Sequence, residues 1–382
     1  MRKVAVISGT RADYGILKSV LKEMIKSPQL ELSLLVVGMH LSTEFGSTIK
    51  EIEKDGYNIV AQIKILHADD TREAMARSVV KSMVRIENAL EKIKPDILLL
   101  LGDRSEMLSG AVAATYLGIP IAHIHGGDVS GNIDDPVRHA ITKLSHIHFA
   151  ATRESAERII RMGEEPWRVR VVGAPGLDFA SSKELPGPEE ISNKYGLDLS
   201  KPVLLMVQHS IIAEAEEAEN QIRETLNAIV ASGFQTVVVY PNADVGGRKM
   251  INVIRKYAKE NSFIKAFKSI PHEDYLGIMK IASVMVGNSS SGIIEAPYFG
   301  LPVINVGTRQ MGRQKSGNVI DVPYAETEIS KAIQNGLSNQ ELINRAKSCR
   351  NIYRIQNTGI NITKVLNDLN LDRALLVKRM TY

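Results

Sequence analysis

Short runs of β-branched and aliphatic residues alternate along this chain with longer amphipathic stretches, a pattern typical of strands that alternate with helices. Strands that are apolar on both faces belong in a parallel sheet that is covered by helices on both sides. In the first half, the pattern predicts strands at 4–8, 32–38, 96–101, 119–125, 147–151 and 169–172, and helices at 14–26, 71–94, 106–117, 136–145 and 154–162.

The segment 173–202 interrupts this alternation with four prolines and one short helical pattern at 189–194. The chain's 382 residues also exceed what one core usually holds, so we predict an α/β protein with two Rossmann-like, doubly wound domains. The predicted parts are an N-terminal domain at 1–175, a linker region at 176–201, a C-terminal domain at 202–360 and a final helix at 361–382 that packs back on the first domain.

In the second half, strands are predicted at 203–207, 236–240, 283–287 and 302–306, helices at 213–232, 247–261, 272–281 and 290–299, and a helical tail from about 326.

Composition narrows the choice of function. The net charge of +4 is too small for a nucleic-acid-binding surface, and the single cysteine, Cys349, excludes an intramolecular disulfide. No apolar run approaches the roughly 20 residues that span a membrane. We therefore expect a cytoplasmic protein with no nucleic-acid or membrane partner.

Unusual polar motifs follow the predicted strands. Because ligands of doubly wound sheets bind at the carboxyl ends of the strands, two such domains would bring these motifs together in a cleft between them. The motifs are Gly9-Thr-Arg11, Gly102-Asp103-Arg104, the segment from His123 to His139, Gln208-His209, Pro241-Asn242 and Gly287-Asn-Ser-Ser-Ser-Gly292.

The segment from His123 to His139 holds three histidines, three aspartates, an arginine and three glycines in 17 residues. Such a mixture is costly in a core and favours a site that moves protons beside a ligand. Asp135 is predicted to cap a helix that has Pro136 at its first position, which leaves Asp134 for chemistry.

Three further motifs each have two interpretations. The serine loop at 287–292 suits a phosphate at a helix N-terminus, although a serine cap alone would use the same residues. Asp103 ends a buried strand and is a candidate acid or base, or else a structural partner of Arg104. Arg11 is predicted to reach a phosphate across the cleft, unless the loop merely starts a helix capped by Asp13.

A metal site is the less favoured interpretation of the histidines. His123 and His125 share one strand face and could bind zinc with Asp128 or His139, but no helical spacing of histidines supports a metal. We predict neither a metal nor a cofactor, and we expect His146 and His148 to be structural.

Taken together, the motifs resemble those of the hydrolysing UDP-N-acetylglucosamine 2-epimerases of sialic-acid-type sugar biosynthesis. The non-hydrolysing enzymes differ, since they have Gly-Thr-Arg-Pro-Glu in the first loop and Thr after Gly-Asp. The resembling motifs are Ser-Gly-Thr-Arg-Ala-Asp-Tyr-Gly (8–15), Gly-Met-His-Leu (38–41), Pro-Asp-Ile to Gly-Asp-Arg (95–104), Gly-Gly-Asp-Val-Ser-Gly-Asn-Ile-Asp-Asp to Leu-Ser-His (126–146), Gly-Asn-Ser-Ser (287–290) and Pro-Val-Ile-Asn-Val-Gly-Thr-Arg-Gln (302–310).

The resemblance implies a glycosyltransferase-B-like fold with its active site between the domains. It implies conversion of UDP-N-acetylglucosamine to N-acetylmannosamine and UDP, by elimination to 2-acetamidoglucal and hydration, in a homodimer or homotetramer. It assigns acid–base work to Asp103 and Asp134. It implies that Arg104, Arg138 and His209 hold or polarise the substrate near the diphosphate. It also implies that the backbone around Ile270 faces the uracil, and that the remaining UDP contacts come from Arg11, Asn242, Ser289, Ser290, Glu295 and Arg309.

One position departs from the family. Its better-studied members have a glutamate, a proposed catalytic residue, where this chain has His125. We hypothesise that His125, with Asp128, takes over the proton transfer. The alternatives are the same reaction on a GDP-linked or 2,4-diacetamido sugar nucleotide, a glycosyltransferase, a non-catalytic sugar-nucleotide-binding protein and a zinc hydrolase.

Overall fold

Two parallel β-sheets make up the framework of the protein. The computed structural model describes residues 1–182 and 184–381. The first sheet has the strand order β3-β2-β1-β4-β5-β6-β7, and all of its paired strands are parallel. Its strands are β1 (Arg2–Ser8), β2 (Leu30–Val37), β3 (Ile59–Ile63), β4 (Ile97–Leu101), β5 (Ile121–Ile124), β6 (Ile147–Ala150) and β7 (Val169–Val171).

Both faces of the first sheet are buried, as the near-continuous apolar strands require. Leu34 and Val36 of β2 belong to one core cluster, whereas Leu35 and Val37 belong to the cluster on the opposite face. The helices of this half are α1 (Arg11–Lys26), α2 (Ile49–Lys54), α3 (Arg72–Ile93), α4 (Ser105–Tyr116), α5 (Asp134–Leu144) and α6 (Arg153–Arg161).

Two short helices connect the sheets, α7 (Gly176–Ala180) and α8 (Pro188–Tyr195). Ile191 and Tyr195 of α8 belong to a core cluster of the second half, together with Val203 and Leu205 of the strand that follows. The boundaries predicted at 175 and 202 stay a prediction.

The second sheet has the order β10-β9-β8-β11-β12-β13 and is also parallel. The predicted α/β fold class with two doubly wound sheets is therefore confirmed. The strands are β8 (Val203–Val207), β9 (Gln235–Val239), β10 (Ile264–Phe267), β11 (Val284–Gly287), β12 (Val303–Val306) and β13 (Val319–Val322), and the helices are α9 (Ala218–Ser232), α10 (Gly247–Glu260), α11 (His272–Ile281), α12 (Ser291–Ile294), α13 (Glu326–Ser338) and α14 (Gln340–Ser348).

The sequence pattern missed β3, β10 and β13. Each of them lies at an edge of its sheet, where one strand neighbour is missing and the side chains are more exposed. Val60, in β3, is 37% exposed. These three strands therefore lack the continuous apolar run by which the other strands, including β7 at the remaining edge, were recognised.

Two predicted helices also differ from the structure. The helix predicted at 213–232 begins only at Ala218, after a 3₁₀ turn at Ile212–Glu214. The helix predicted at 290–299 is divided into α12 and a 3₁₀ turn at Ala296–Phe299, because Pro297 has no backbone N–H for a helical hydrogen bond.

The chain ends on the first half of the molecule. Helix α15 (Thr358–Asp368) packs against α1, and Ile362 and Leu366 join the core cluster that contains Val4 and Val6. A short helix, α16 (Arg373–Leu376), follows. None of the helices in residues 1–182 and 184–381 combines the length and the apolar character that crossing a bilayer requires.

The side chain of Arg168 binds this last segment of the chain to the first half of the molecule. Its side chain is 1% exposed, and its guanidinium donates hydrogen bonds to the carbonyl oxygens of Leu375 at 2.8 Å, Ala374 at 3.0 Å and Val377 at 3.3 Å. It also donates to the carbonyl oxygen of His146 at 3.2 Å.

We predict that Arg168→Met destabilises the protein by about 3 kcal/mol, because it leaves several buried carbonyl groups without a donor. Urea unfolding monitored by circular dichroism measures the loss. Arg170→Met, a nearby exposed position, is the matched control. Equal unfolding midpoints for the two variants would contradict this role of Arg168.

Candidate active site

A cavity of about 410 Å³ lies between the carboxyl ends of the two sheets. Both halves of the chain line it, as expected for ligand sites in doubly wound folds. Of the predicted site residues, those that line the cavity are Asp103, Arg104, His125, Asp134, Arg138, Asn242, Ser290 and Arg309.

Arg138 lies at the centre of the charged part of the cavity wall. It comes from the second turn of α5, and its side chain is only 1% exposed. Its guanidinium forms ion pairs with Asp103 and, at 2.6 Å, with Asp135. It also donates a hydrogen bond of 2.8 Å to the carbonyl oxygen of Asp128. One buried cation therefore holds the ends of β4 and β5 and the start of α5 together.

Asp103 and Asp134 have opposite pKa shifts. Burial favours a higher pKa for Asp103, but the positive charges of Arg138, Arg313 and Arg309 lower it below its ordinary value. For Asp134, burial and the negative charge of Asp103 raise the pKa to about 6. Two carboxyl groups with separated pKa values are the arrangement that acid–base catalysis uses.

Asp135 does not cap its own helix as predicted. Its carboxylate accepts hydrogen bonds from the backbone N–H groups of Ser130 at 2.8 Å and Gly131 at 2.7 Å, in the preceding loop, and α5 begins at Asp134. The backbone N–H of Asp134 donates instead to Asn132 Oδ1 at 2.7 Å. Asp135 thus shapes the loop that presents Asp134.

His125 follows β5 with a left-handed backbone, at φ 63°. This conformation is uncommon for a residue other than glycine and is typical of functional sites. The ring Nδ1 lies 3.1 Å from Asp128 Oδ2. Because a carboxylate accepts the proton of Nδ1, Nε2 is the ring nitrogen left free to accept or deliver a proton.

Asp128 is itself held in place. Ser155 Oγ donates to its Oδ1 at 2.7 Å, and Arg313 lies 3.2 Å from its Oδ2. Burial alone would raise the pKa of Asp128. The hydrogen bond and charge of His125, together with the positive charges of Arg313 and Arg138, hold this pKa well below its ordinary value instead. Asp128 is therefore an ionised partner for the imidazole.

Arg104 faces two carboxylates, one in its own half of the molecule and one across the cleft. Its Nε lies 3.3 Å from Glu106, which is 1% exposed, and its Nη1 lies 3.6 Å from Asp244 of the second half. Burial would lower the pKa of Arg104, but Glu106, Asp244 and Asp13 raise it. The alternative that Asp103 and Arg104 form a structural ion pair is wrong, because Asp103 pairs with Arg138.

His209 lies on the second-domain side and is 8% exposed. The backbone N–H of Asn242 donates to its Nδ1 at 3.2 Å, so a neutral ring carries its proton on Nε2. Burial, together with the charges of Arg309 and Arg11, lowers its pKa well below the ordinary value. His209 is thus a neutral hydrogen-bond donor.

The serine loop joins β11 to α12. Ser290 lines the cavity, whereas Ser289 Oγ lies 2.8 Å from Ser291 Oγ. Arg309 donates to the carbonyl oxygen of Asn288 at 3.1 Å and places Nη2 3.7 Å from Asp134 Oδ2. A serine-rich turn and an arginine therefore line the same cavity as Asp103 and Asp134.

The side chain of Arg11 crosses the cleft as predicted, but in this structure its hydrogen-bond acceptors are backbone carbonyl groups. It donates to the carbonyl oxygen of Tyr240 at 2.9 Å and to that of Lys268. Burial lowers its pKa to about 10. The alternative of a helix capped by Asp13 needs a correction, because Thr10 is the N-cap of α1 and Asp13 is the third helical residue, which completes a capping box with Thr10. Arg11 is the first residue of this helix.

Glu295 and Ile270 lie deeper in the second half. Glu295 is 4% exposed, and burial raises its pKa to about 7. A Cβ atom on Gly176 would come within 2.8 Å of Glu295 Oε1, so the chain at Gly176 passes close to this carboxyl group. The side chain of Ile270 is buried in a core cluster, which leaves only its backbone to face a ligand.

The remaining histidines of the first sheet have structural partners. His123 Nε2 lies 2.7 Å from the carbonyl oxygen of Gly102, and His146 Nδ1 accepts the N–H of Ile121 at 3.1 Å. His148 Nε2 lies 3.2 Å from Glu164. In the described part of the chain, no three His, Cys, Asp or Glu side chains converge where they could hold a metal ion.

Three charged residues that pair with the predicted site residues were missed from the sequence, Glu106, Asp244 and Arg313. Glu106 has the appearance of an ordinary acidic residue in the first turn of a helix. The only signal for Arg313 in the sequence was its position four residues after Arg309, a predicted site residue. No predicted helix or strand placed Arg313 next to Asp128.

Comparison with known proteins identifies the family of this chain. A family model described as UDP-N-acetylglucosamine 2-epimerase matches residues 22–367. The chain belongs to the UDP-N-acetylglucosamine 2-epimerase family. The resemblance found in the sequence motifs is thereby confirmed, and the chain is a member of an enzyme family.

Two relatives are similar over most of their length. The UDP-N,N'-diacetylbacillosamine 2-epimerase (hydrolyzing) of Legionella pneumophila is 36% identical over 375 residues, which are 97% of this chain and 99% of the relative. The UDP-N-acetylglucosamine 2-epimerase of Neisseria meningitidis serogroup B is 37% identical over 339 residues, 88% of each chain.

A solved structure shares the fold. The UDP-GlcNAc 2-epimerase from Neisseria meningitidis bound to UDP-GlcNAc superposes with a TM-score of 0.78 at 19% identity, over 96% of this chain and 99% of that one. The predicted glycosyltransferase-B-like fold is confirmed.

Proposed function

We propose that this protein is a hydrolysing 2-epimerase of UDP-linked 2-acetamido sugars, which converts UDP-N-acetylglucosamine to N-acetylmannosamine and UDP. The observation that carries the proposal is the pair Asp103 and Asp134 in the cleft, with Asp134 at a pKa of about 6 and Asp103 kept ionised by Arg138. The names of the two relatives support the reaction class.

In the first step, Asp134 accepts the proton from C2 of the sugar. A carboxylate with a raised pKa is a stronger base than an ordinary aspartate, and it is still ionised at neutral pH. The electron pair of the C2–H bond forms the C1–C2 double bond, the C1–O bond breaks, and UDP leaves. The product of this step is the 2-acetamidoglucal.

Loss of UDP puts negative charge on the diphosphate, which cationic and N–H groups can stabilise. Arg309 and Ser290 line the cavity on the second-domain side, and His209 supplies a neutral Nε2–H donor. Arg11 and Asn242 flank the same region.

Ser289 and Glu295, with the backbone at Ile270, would complete the nucleotide site. The raised pKa of Glu295, about 7, suits a carboxyl group that hydrogen-bonds ribose hydroxyls.

In the second step, water adds to C1 and a proton is delivered to C2 from the opposite face, which inverts C2. The proton that the water loses passes to solvent. Exchange with solvent then removes the proton from Asp134 and returns one to the donor. His125 is the proposed donor, since its Nδ1 is hydrogen-bonded to Asp128 and its Nε2 is left free. Arg138 and Arg104 hold the sugar and the ionised Asp103 in place, and Asp103 orients the incoming water. No atom is gained beyond one water, and no redox partner is required.

The related reaction on a 2,4-diacetamido sugar nucleotide is the second candidate, because the Legionella relative bears that name. The reaction on a GDP-linked sugar has no separate support from the site. A purely sugar-binding role is disfavoured by the split pKa values of Asp103 and Asp134. Cytoplasmic location and a homodimer or homotetramer remain predictions.

We predict that incubation with UDP-N-acetylglucosamine or its 2,4-diacetamido counterpart in D₂O releases UDP and a free 2-epimeric sugar with deuterium at C2. Deuterium enters because the C2 proton is delivered by an exchangeable group. Proton NMR of the product identifies the sugar and shows whether its H2 signal is lost.

Simple hydrolysis would instead yield a free sugar that retains H2 and its original configuration. That outcome, or the absence of both UDP and free sugar with both substrates, contradicts the proposed function.

We predict that His125→Ala lowers kcat by about 10²- to 10³-fold, the usual contribution of one general acid or base. His125→Glu, which introduces the residue of the better-studied family members, should recover part of the activity. His139→Ala, on the adjacent helix and outside the cavity lining, serves as control. Near-normal turnover by His125→Ala would show that this histidine transfers no proton.

A further inference from the structure

Asn132 lies in the loop between β5 and α5, and its side-chain amide forms hydrogen bonds in two directions. Its Oδ1 accepts the backbone N–H of Asp134 at 2.7 Å. Its Nδ2 donates to the carbonyl oxygen of Arg309, in the other half of the molecule, at 2.9 Å. Because a backbone N–H can only donate and a carbonyl oxygen can only accept, an amide in this orientation satisfies both partners. One side chain therefore connects the proposed base to the segment that carries a proposed UDP ligand.

Glycines let the two loops that Asn132 joins approach each other closely. The backbone N–H of Gly312, in the segment after β12, donates to the carbonyl oxygen of Ser130 at 3.1 Å. A Cβ atom on Gly131 would lie 3.1 Å from the backbone nitrogen of Gly312, and one on Gly312 would lie 2.8 Å from Val129 Cγ1. Backbone thus packs on backbone across the cleft, which allows a side chain as short as asparagine to reach the other half.

The carbonyl group of Arg309 is a fixed anchor, because its segment is bound to the second sheet by other contacts. Arg309 Nη1 and Gln310 Nε2 both donate to the carbonyl oxygen of Asn288, just after β11, each at 3.1 Å. These bonds lie within the second half of the molecule. Removal of the Asn132 amide would therefore leave the nucleotide side of the site in place.

The position of Asp134 depends more strongly on Asn132. Asp134 is the first residue of α5, where a backbone N–H has no acceptor within the helix, and Asn132 supplies that acceptor. The Asp134 carboxylate lies 3.7 Å from Arg309 Nη2, which is too far for a hydrogen bond. The amide thus fixes the start of the helix from which the proposed base extends.

We propose that Asn132 is a positioning residue for the proton transfer at C2, which holds Asp134 in place relative to the nucleotide side of the cleft. The inference rests on the proposed function and adds to it a residue that lies outside the cavity lining. The first half of the molecule supplies the base, and the second half would hold the nucleotide. A bond between these two parts sets the distance from the base to C2, as supporting residues do for other catalytic groups.

Asn132→Ala removes both hydrogen bonds of the amide. We expect kcat for UDP release to fall about 10- to 100-fold, because a displacement of about 1 Å can cost a catalytic group that much. The Kd of UDP, measured by isothermal titration calorimetry, should stay unchanged, because Arg309 keeps its bond to Asn288. Asn335→Ala, at an exposed position of α13, is the matched control and should change neither quantity.

Asn132→Asp separates the two bonds at nearly unchanged size. A carboxylate still accepts the N–H of Asp134, but it has no donor for the carbonyl oxygen of Arg309. We expect kcat to stay low in this variant at about pH 8, where Asp134 is ionised in the wild type. Recovery of the wild-type kcat would show that Asn132 only shapes its own loop, which would overturn the inference.

Gly312→Ala tests the same contact from the other side of the cleft. The added methyl group would press on Val129 and separate the two loops. Since both changes act through one contact, the double variant with Asn132→Ala should lose less kcat than the product of the two single losses. Gly187→Ala, where a Cβ atom meets nothing closer than 4.0 Å, is the control. Losses that multiply would contradict a shared contact.

A kcat near the wild-type value in Asn132→Ala overturns the inference and leaves the proposed function standing. So does a loss of UDP affinity as large as the loss of kcat, which would indicate general damage to the site. If the wild-type protein releases no UDP from UDP-N-acetylglucosamine or its 2,4-diacetamido counterpart, the proposed function fails, and this inference fails with it.

Discussion

The charge of Arg138 is the interaction on which the site depends. Its guanidinium is buried and cannot lose its proton at any ordinary pH, so the carboxylates around it must supply the compensating charge. Asp103 and Asp135 pair with it directly, and both have pKa values below the ordinary range. Asp134 lies outside these pairs, and burial together with the negative charge of the neighbouring Asp103 raises its pKa.

Arginines of the second half of the molecule also contact the carboxylates of the first half across the cleft. Arg309 approaches Asp134, and Arg313 binds Asp128, the partner of His125. Residues that would hold the nucleotide therefore also act on residues that would move protons. Charge in either half of the site affects the other, which agrees with a cavity that neither sheet forms alone.

The sequence predicted those parts of the molecule that depend on local pattern. Central strands such as β4 and β8 are buried on both faces and have an unbroken apolar signature. The segments after the strands of both sheets contributed predicted residues to the cavity wall, among them Asp103, His125, Asn242 and Ser290. The edge strands β3, β10 and β13 were missed because exposure weakens that signature.

Partners that are distant in sequence could not be predicted in the same way. Asp103 directly precedes Arg104, yet it pairs with Arg138, 35 residues away, because β4 and β5 are adjacent in the sheet. Asp135 binds the loop before it, which no cap rule indicates. Arg313 reaches Asp128 only through the meeting of the two halves.

The most direct test of the central claim is the dependence of kcat/KM on pH, which reports the ionisation of groups in the free enzyme. Asp134 acts as a base only when ionised, so activity should fall below a pH of about 6. In Asp103→Asn, removal of the neighbouring negative charge lowers the pKa of Asp134, and the acid limb of the residual activity should move to lower pH. An acid limb that stays in place in Asp103→Asn, or no limb near pH 6 in the wild type, would contradict the account.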